Sequence, residues 1–220
     1  MKKLTLIAGL LLISNGWAEE LVDVTSDPFF AIVDVETTGL DPTYNEIVDI
    51  GLILIDQVLE VKGKFYTKVN PSFPNRIHPV AKQINGYDQF RWKKENALSE
   101  GITVIKLTDF LQSYEKKPIF IAFNSWFDAA FVRKLFSDYD QQFDDWFDYR
   151  VLDIPSMALA CGYFPQGNGF NTDLAKLLKI EPETNDPLLH TGESGVNFNY
   201  AILKSLKEKD CFRISQLNEW

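Results

Sequence analysis

Residues 29–42 read Phe-Phe-Ala-Ile-Val-Asp-Val-Glu-Thr-Thr-Gly-Leu-Asp-Pro. The stretch from Phe29 to Val35 is short and apolar except for Asp34, which suits a buried strand. Thr38-Gly39-Leu40-Asp41-Pro42 then ends it with turn chemistry. Side chains alternate across a strand, so Asp34 and Glu36 share one face while Val33 and Val35 take the other. Two carboxylates side by side on a buried strand repel one another and lose hydration unless a cation or a basic side chain compensates. No Lys or Arg lies between Asp27 and Gly51. A hard divalent cation such as Mg²⁺ or Mn²⁺, which takes oxygen ligands, would resolve the conflict. A solvated pair at an exposed strand end would need none.

Working outward, residues 46–55 and 64–69 read as two more strands, the second ended by Pro71 and Pro74. Residues 103–114 carry apolar side chains at helical spacing (Val104, Leu107, Phe110, Leu111). Another short strand, 119–123, precedes the helical pattern Phe127, Phe131, Leu135. Residues 150–154 suit a fifth strand, and helices are expected near 155–161, 172–179 and 197–208. Strands first, then strands alternating with helices, predict an α/β fold: a mixed five-stranded sheet flanked by helices. No repeat or second domain is visible, so residues 28–210 form one domain, with 19–27 a lead-in and 211–220 a tail.

The chain has 220 residues, 22 Lys and Arg against 31 Asp and Glu, and a net charge of −9. That balance excludes a non-specific nucleic-acid coat protein, which neutralises phosphates with surplus Lys and Arg. It leaves room for nucleic acid reached through metals held by carboxylates. Met1-Lys2-Lys3, the apolar run Leu4–Ile13 and small residues at Gly16 and Ala18 describe a signal peptide over residues 1–18, and hence an exported protein, periplasmic or secreted. Its removal takes two lysines and leaves −11. The two cysteines, Cys161 and Cys211, carry no spacing signature, so pairing and free thiols both stay open. Without CxxC or clustered Cys and His, a structural zinc site is not expected.

Asp34-Val-Glu-Thr-Thr-Gly-Leu-Asp-Pro42 resembles the first motif of the DEDD-type 3′–5′ exonucleases, and Asn124-Ser-Trp-Phe-Asp128 looks like their second. His190, ahead of a C-terminal helix pattern, stands where the histidine subtype carries its third. Ile77–Asp88 and Val151-Leu152-Asp153 also resemble family segments, so the resemblance covers about residues 28–208. It implies a ribonuclease-H-like fold and hydrolysis of DNA or RNA from 3′ ends, releasing nucleoside monophosphates. It also implies two Mg²⁺ or Mn²⁺ ions about 4 Å apart. Asp34 would bridge both ions, Glu36 would hold the water-side ion, Asp128 would ligate the second, and His190 would be the general base. Thr37, Thr38, Leu40 and Asn124 would lie beside the terminal nucleotide. Each also has a plain reading: Asp128 as a helix-dipole partner, Asn124 as a turn or cap residue, Thr37 and Thr38 as turn residues.

The pattern breaks at one position. The histidine subtype carries an Asp five residues after its His, where this chain has Gly195. Three outcomes follow: Glu193 reaches in as a substitute ligand, water and Glu36 hold a weaker ion, or the protein binds nucleic acid or nucleotides without efficient hydrolysis. Gly192 and Gly195 would each weaken the first turn of the following helix by ~1 kcal/mol relative to Ala. A carboxylate pair of glycosidase type is disfavoured, because side chains at i and i+2 sit too close to flank a sugar bond.

Overall fold

The computed structural model describes residues 28–164 and 169–212. The expected signal peptide at 1–18, the lead-in at 19–27 and most of the tail lie outside the described residues.

Three strands open the fold: β1 (Phe30–Thr37), β2 (Ile47–Ile55) and β3 (Val61–Asn70). Two short helices follow, α1 (Pro79–Asn85) and α2 (Gln89–Lys94), then β4 (Leu98–Ser99) and α3 (Glu100–Gln112). The second half runs β5 (Ile119–Ala122), α4 (Ser125–Asp138), α5 (Phe143–Trp146), β6 (Val151–Asp153), α6 (Ile154–Ala160), α7 (Phe170–Leu178) and α8 (Gly192–Glu208). The sheet order is β4-β3-β2-β1-β5-β6. β1 pairs antiparallel with β2 and parallel with β5, so the sheet is mixed, as expected. The sixth strand is β4, two residues at the edge against Val69 and Asn70, too short to leave a period-two signal.

β1 lies at the centre, and its alternation divides the core. Ala31, Val33 and Val35 pack with Leu107 of α3 and Phe131 and Phe136 of α4 on one face. Phe30 and Ile32 pack with Ile154, Leu174 and Ile202, from α6, α7 and α8, on the other. Asp34 and Glu36 continue this second row toward the first turn of α8.

That helix begins five residues earlier than its apolar pattern suggests, because a capping box nucleates it. The Thr191 hydroxyl accepts from the Ser194 N–H (3.2 Å), and the Ser194 hydroxyl accepts from the Thr191 N–H (3.0 Å). Its glycines are explained by packing. A Cβ on Gly51 of β2 would lie 2.2 Å from the Gly192 carbonyl oxygen, and one on Gly192 would lie 2.5 Å from the Gly51 nitrogen. The backbones therefore touch, which only glycine allows. Asp49, buried on β2, secures the seam: its carboxylate accepts from the Gly192 N–H (2.9 Å) and the Tyr66 hydroxyl (2.7 Å). The α8 N-terminus is thus held directly against Asp34.

Both thiols are free, and the Cys161 Sγ donates to the Cys211 carbonyl (3.2 Å). Among the described residues, no helix is long and apolar enough to cross a membrane.

Candidate active site

The end of β1 and the turn after it, α1, the first turn of α4 and the loop before α8 enclose a cleft of about 920 Å³. Asp34, Glu36, Thr37, Leu40, Asn124, Asp128 and His190 line it together. Thr38 and Glu193 do not. Thr38 is fully buried, its hydroxyl accepting from the Glu46 N–H (2.9 Å), so it braces the turn after β1. Glu193 is exposed on the outer side of α8. The Thr37 hydroxyl also serves that turn, donating to the Gly39 carbonyl (2.6 Å).

Asp128 reaches the site because the chain reverses sharply after β5. Asn124 takes the left-handed conformation (φ 58, ψ 50), which Asn tolerates better than most residues, and α4 starts at the next residue. The side chain of Asn124 caps nothing there. Asp128, in the first turn, accepts from the Val35 N–H (3.0 Å), so it is pinned to β1 between Asp34 and Glu36. Asp153 of β6 braces the same turn by accepting from the Ser125 N–H (3.1 Å).

His190 arrives from the loop between α7 and α8. Its Nδ1 contacts the Thr184 carbonyl (2.9 Å), and its Nε2 lies 3.1 Å from Glu36 Oε1. With Nδ1–H donating to the carbonyl, a proton on Nε2 makes the ring an imidazolium. The Glu36 bond favours that state and lifts the His190 pKa to about 9.

One carboxylate in the cleft was not singled out in the sequence. Glu183, on the same loop as His190, lines the cleft, and its Oε1 is buried without a hydrogen-bond partner, 3.7 Å from His190 Nδ1. The available sequence signal was faint: an acid beside Pro182 in a stretch without periodicity.

The resulting electrostatics are strained. Burial pushes the Asp34 carboxyl well above its ordinary range, with Asp128, Glu183, Glu36 and Asp49 adding repulsion. Burial likewise raises Asp128, opposed by the Val35 hydrogen bond, and raises Glu183, opposed by His190. Asp49 is lifted to about 7 by burial, against the bonds from Tyr66 and Gly192. Gly195 lies against the Asp34 carboxylate. A Cβ there would fall 2.2 Å from Asp34 Oδ2, so the Asp34 carboxylate occupies the space a side chain at 195 would need.

Around the acids the cleft is apolar. Leu40 and Trp126 are 82% and 72% exposed at its mouth, with Tyr44, Val80 and Ile84 nearby. The Arg76 guanidinium also lines the cleft, stacked on Phe73 (3.7 Å) and Tyr44 (4.6 Å). Apolar faces for a base, a cation for a phosphate and a floor of carboxylates make a surface suited to a nucleotide.

The acids offer hard oxygens of the kind Mg²⁺ or Mn²⁺ takes. The arrangement is less complete. Among the described residues, no three His, Cys, Asp or Glu side chains form a group that could hold a metal ion. One reason is visible in the geometry: Glu36, a candidate ligand, is turned to His190.

Comparison with known proteins gives concordant results. A family model described as "Exonuclease" (RNase_T) matches residues 31–194. The PolC-type DNA polymerase III of Thermotoga maritima is 33% identical over 107 residues, 49% of this chain and 7% of that protein. The oligoribonuclease of Francisella tularensis subsp. novicida is 24% identical over 152 residues, 63% of this chain and 79% of that one. The chain thus spans only a small part of the polymerases and most of the oligoribonuclease. Among solved structures, E. coli exonuclease I in complex with a dT13 oligonucleotide superposes with a TM-score of 0.68 at 19% identity, covering 81% of this chain and 40% of that one. The nuclease domain of 3′hExo, a DEDDh family member bound to rAMP, gives 0.67 at 16% identity, covering 85% and 95%.

Proposed function

The chain belongs to the exonuclease family matched over residues 31–194, with the ribonuclease-H-like architecture of those structures, and from that premise we propose that it binds 3′ ends of DNA or RNA in this cleft and hydrolyses them inefficiently. One observation carries this reading: the Asp34 carboxylate fills the space a side chain at Gly195 would need, and no carboxylate reaches the cleft from the first turn of α8. The state of His190 supports it. An imidazolium paired with Glu36 cannot accept a proton from water at neutral pH, so a base role requires that pair to open. Leu40 and Trp126 would hold the terminal bases, Arg76 a phosphate, and Asn124 the sugar–phosphate edge. The basic and apolar character of residues 1–18 supports export, and therefore a substrate outside the cytoplasm.

A second reading, a competent metal-dependent 3′–5′ exonuclease, is favoured by the buried acids themselves. Asp34, Glu36 and Asp128 together would hold Mg²⁺ or Mn²⁺, and the ions would lower the pKa of the attacking water and neutralise the leaving oxygen. Water would add to phosphorus as the bond to the penultimate 3′-oxygen breaks, freeing a nucleoside monophosphate. The experiment incubates 3′-labelled single strands with the protein and Mn²⁺, beside Asp34→Ala and Gly195→Asp. Retained strands with slow release, accelerated by Gly195→Asp, support the first reading. Rapid release by the wild type, abolished by Asp34→Ala, supports the second. Release that survives Asp34→Ala overturns both.

A further inference from the structure

We infer that this cleft grips only the last two nucleotides of a strand, through one phosphate held by Arg76, and gains nothing from the strand beyond them. The inference rests on the reading that the cleft receives a nucleic-acid 3′ end, and adds a length to it. Proteins that hold long single strands do so in a positively charged groove that tracks the backbone. The charges here run the other way. Among the described residues that line the cleft, Arg76 is the single Lys or Arg, against five carboxylates: Asp34, Glu36, Asp41, Asp128 and Glu183. Neither histidine on the wall adds to Arg76. His190 is matched by Glu36, and His78 caps α1, its Nδ1 accepting from the Val80 N–H (3.3 Å).

Arg76 is built to take one phosphate. Its guanidinium is stacked on Phe73, and Nη1 donates to the Tyr44 carbonyl (3.1 Å), which fixes the fork and leaves most of its five N–H donors for a ligand. Past Arg76 the surface turns acidic again. The small hollow on the far side of Tyr44 is lined by Glu46, Glu100 and Asp138, and its one lysine, Lys134, is paired with Asp138. Lys82 on α1 is exposed outside the cleft lining. A strand leaving the cleft by Arg76 would therefore meet carboxylates. The enclosed volume agrees: 920 Å³ is on the scale of small-molecule sites, ~300–1,000 Å³, rather than of a channel for a polymer. Affinity thus comes from bases on Leu40 and Trp126, and only one counterion is released.

The probes are oligothymidylates of two, four, eight and sixteen nucleotides with free 3′ ends, titrated into the full chain in EDTA by calorimetry over a range of salt. Affinity should stay within about twofold across the series and fall only about threefold between 50 and 200 mM salt, a logarithmic slope of about −0.7 for one phosphate. Four phosphate contacts would instead cost about 50-fold over that range. Arg76→Gln should flatten the slope, and Arg76→Lys, which keeps the charge, should retain it. Affinity that climbs about tenfold or more with length, or a slope of about −2 or steeper, overturns the inference. An Arg76→Gln protein with the wild-type slope overturns the assignment of Arg76. A closed circle that binds as well as the linear sixteen-mer overturns the 3′-end reading itself, whatever the length series shows, and no binding at any length overturns both.

Discussion

Asp34, Glu36 and Asp128 sit on regular elements, β1 and the first turn of α4, whereas Glu183 and His190 sit on the loop between α7 and α8. The first group is fixed by backbone geometry. Strand alternation orients Asp34 and Glu36, and the Val35 N–H holds Asp128 between them. The second group is fixed by side chains and carbonyls: Thr184 on His190, Arg91 on Leu188 and the capping box at Thr191. The two meet where His190 Nε2 lies 3.1 Å from Glu36 Oε1. The difference teaches that local backbone pattern alone orders the strand-borne half, whereas the facing half depends on how the loop and α8 dock against β2.

Four changes test the division. Asp34→Ala, in the regular half, should reduce Mn²⁺-dependent release from 3′-labelled strands to background, while the 3′ end still binds in EDTA. A variant with undiminished release would show that the strand-borne half is not the reacting one. Gly51→Ala attacks the seam. Its methyl would meet backbone rather than a flexible side chain, so a loss of about 1–3 kcal/mol or more is expected in urea unfolding. A neutral result would mean that α8 can move off β2 freely. Trp126→Ala should weaken 3′-end binding by about 1–3 kcal/mol, the worth of one base–aromatic stack, with stability unchanged because the ring is exposed. Fluorescence anisotropy reads this, and unchanged affinity would remove Trp126 from the substrate surface.

The smallest effect is on pH dependence. Asp34, Asp128, Glu183 and Asp49 all have raised values when folded, as does His190. A raised group binds its proton more tightly in the folded state, so its contribution is full below the unfolded value and is lost as pH rises through the folded one. The metal-free melting temperature should therefore fall by several degrees on going from pH 6 to pH 9. Asp49 would give up its share near its value of about 7, and His190 near about 9. A melting temperature that rises over this window would contradict the electrostatic picture of both halves.

The same division separates what could be read from the sequence. Alternation placed Asp34 and Glu36 on one face, and helical spacing put Asp128 in an N-terminal turn, because both follow from local periodicity. The mixed sheet was legible for the same reason, apart from the two-residue β4. Glu183 was not, since the loop around Pro182 and Pro187 has no period, and its place depends on how α8 docks on β2, across 143 residues of sequence. Gly192 and Gly195 looked like weak points in a helix. In the fold they are contact points, one against backbone and the other against Asp34. Asp49 lies in a stretch read from the sequence only as a strand, and in the fold its carboxylate anchors the α8 N-terminus.

The central claim is that this cleft receives a nucleic-acid 3′ end. It is tested most directly by comparing, in EDTA, the affinity of the protein for a linear single strand and for a closed circle of the same sequence and length. The account predicts clear preference for the linear strand, reduced by Trp126→Ala. Equal affinity for the circle would contradict it.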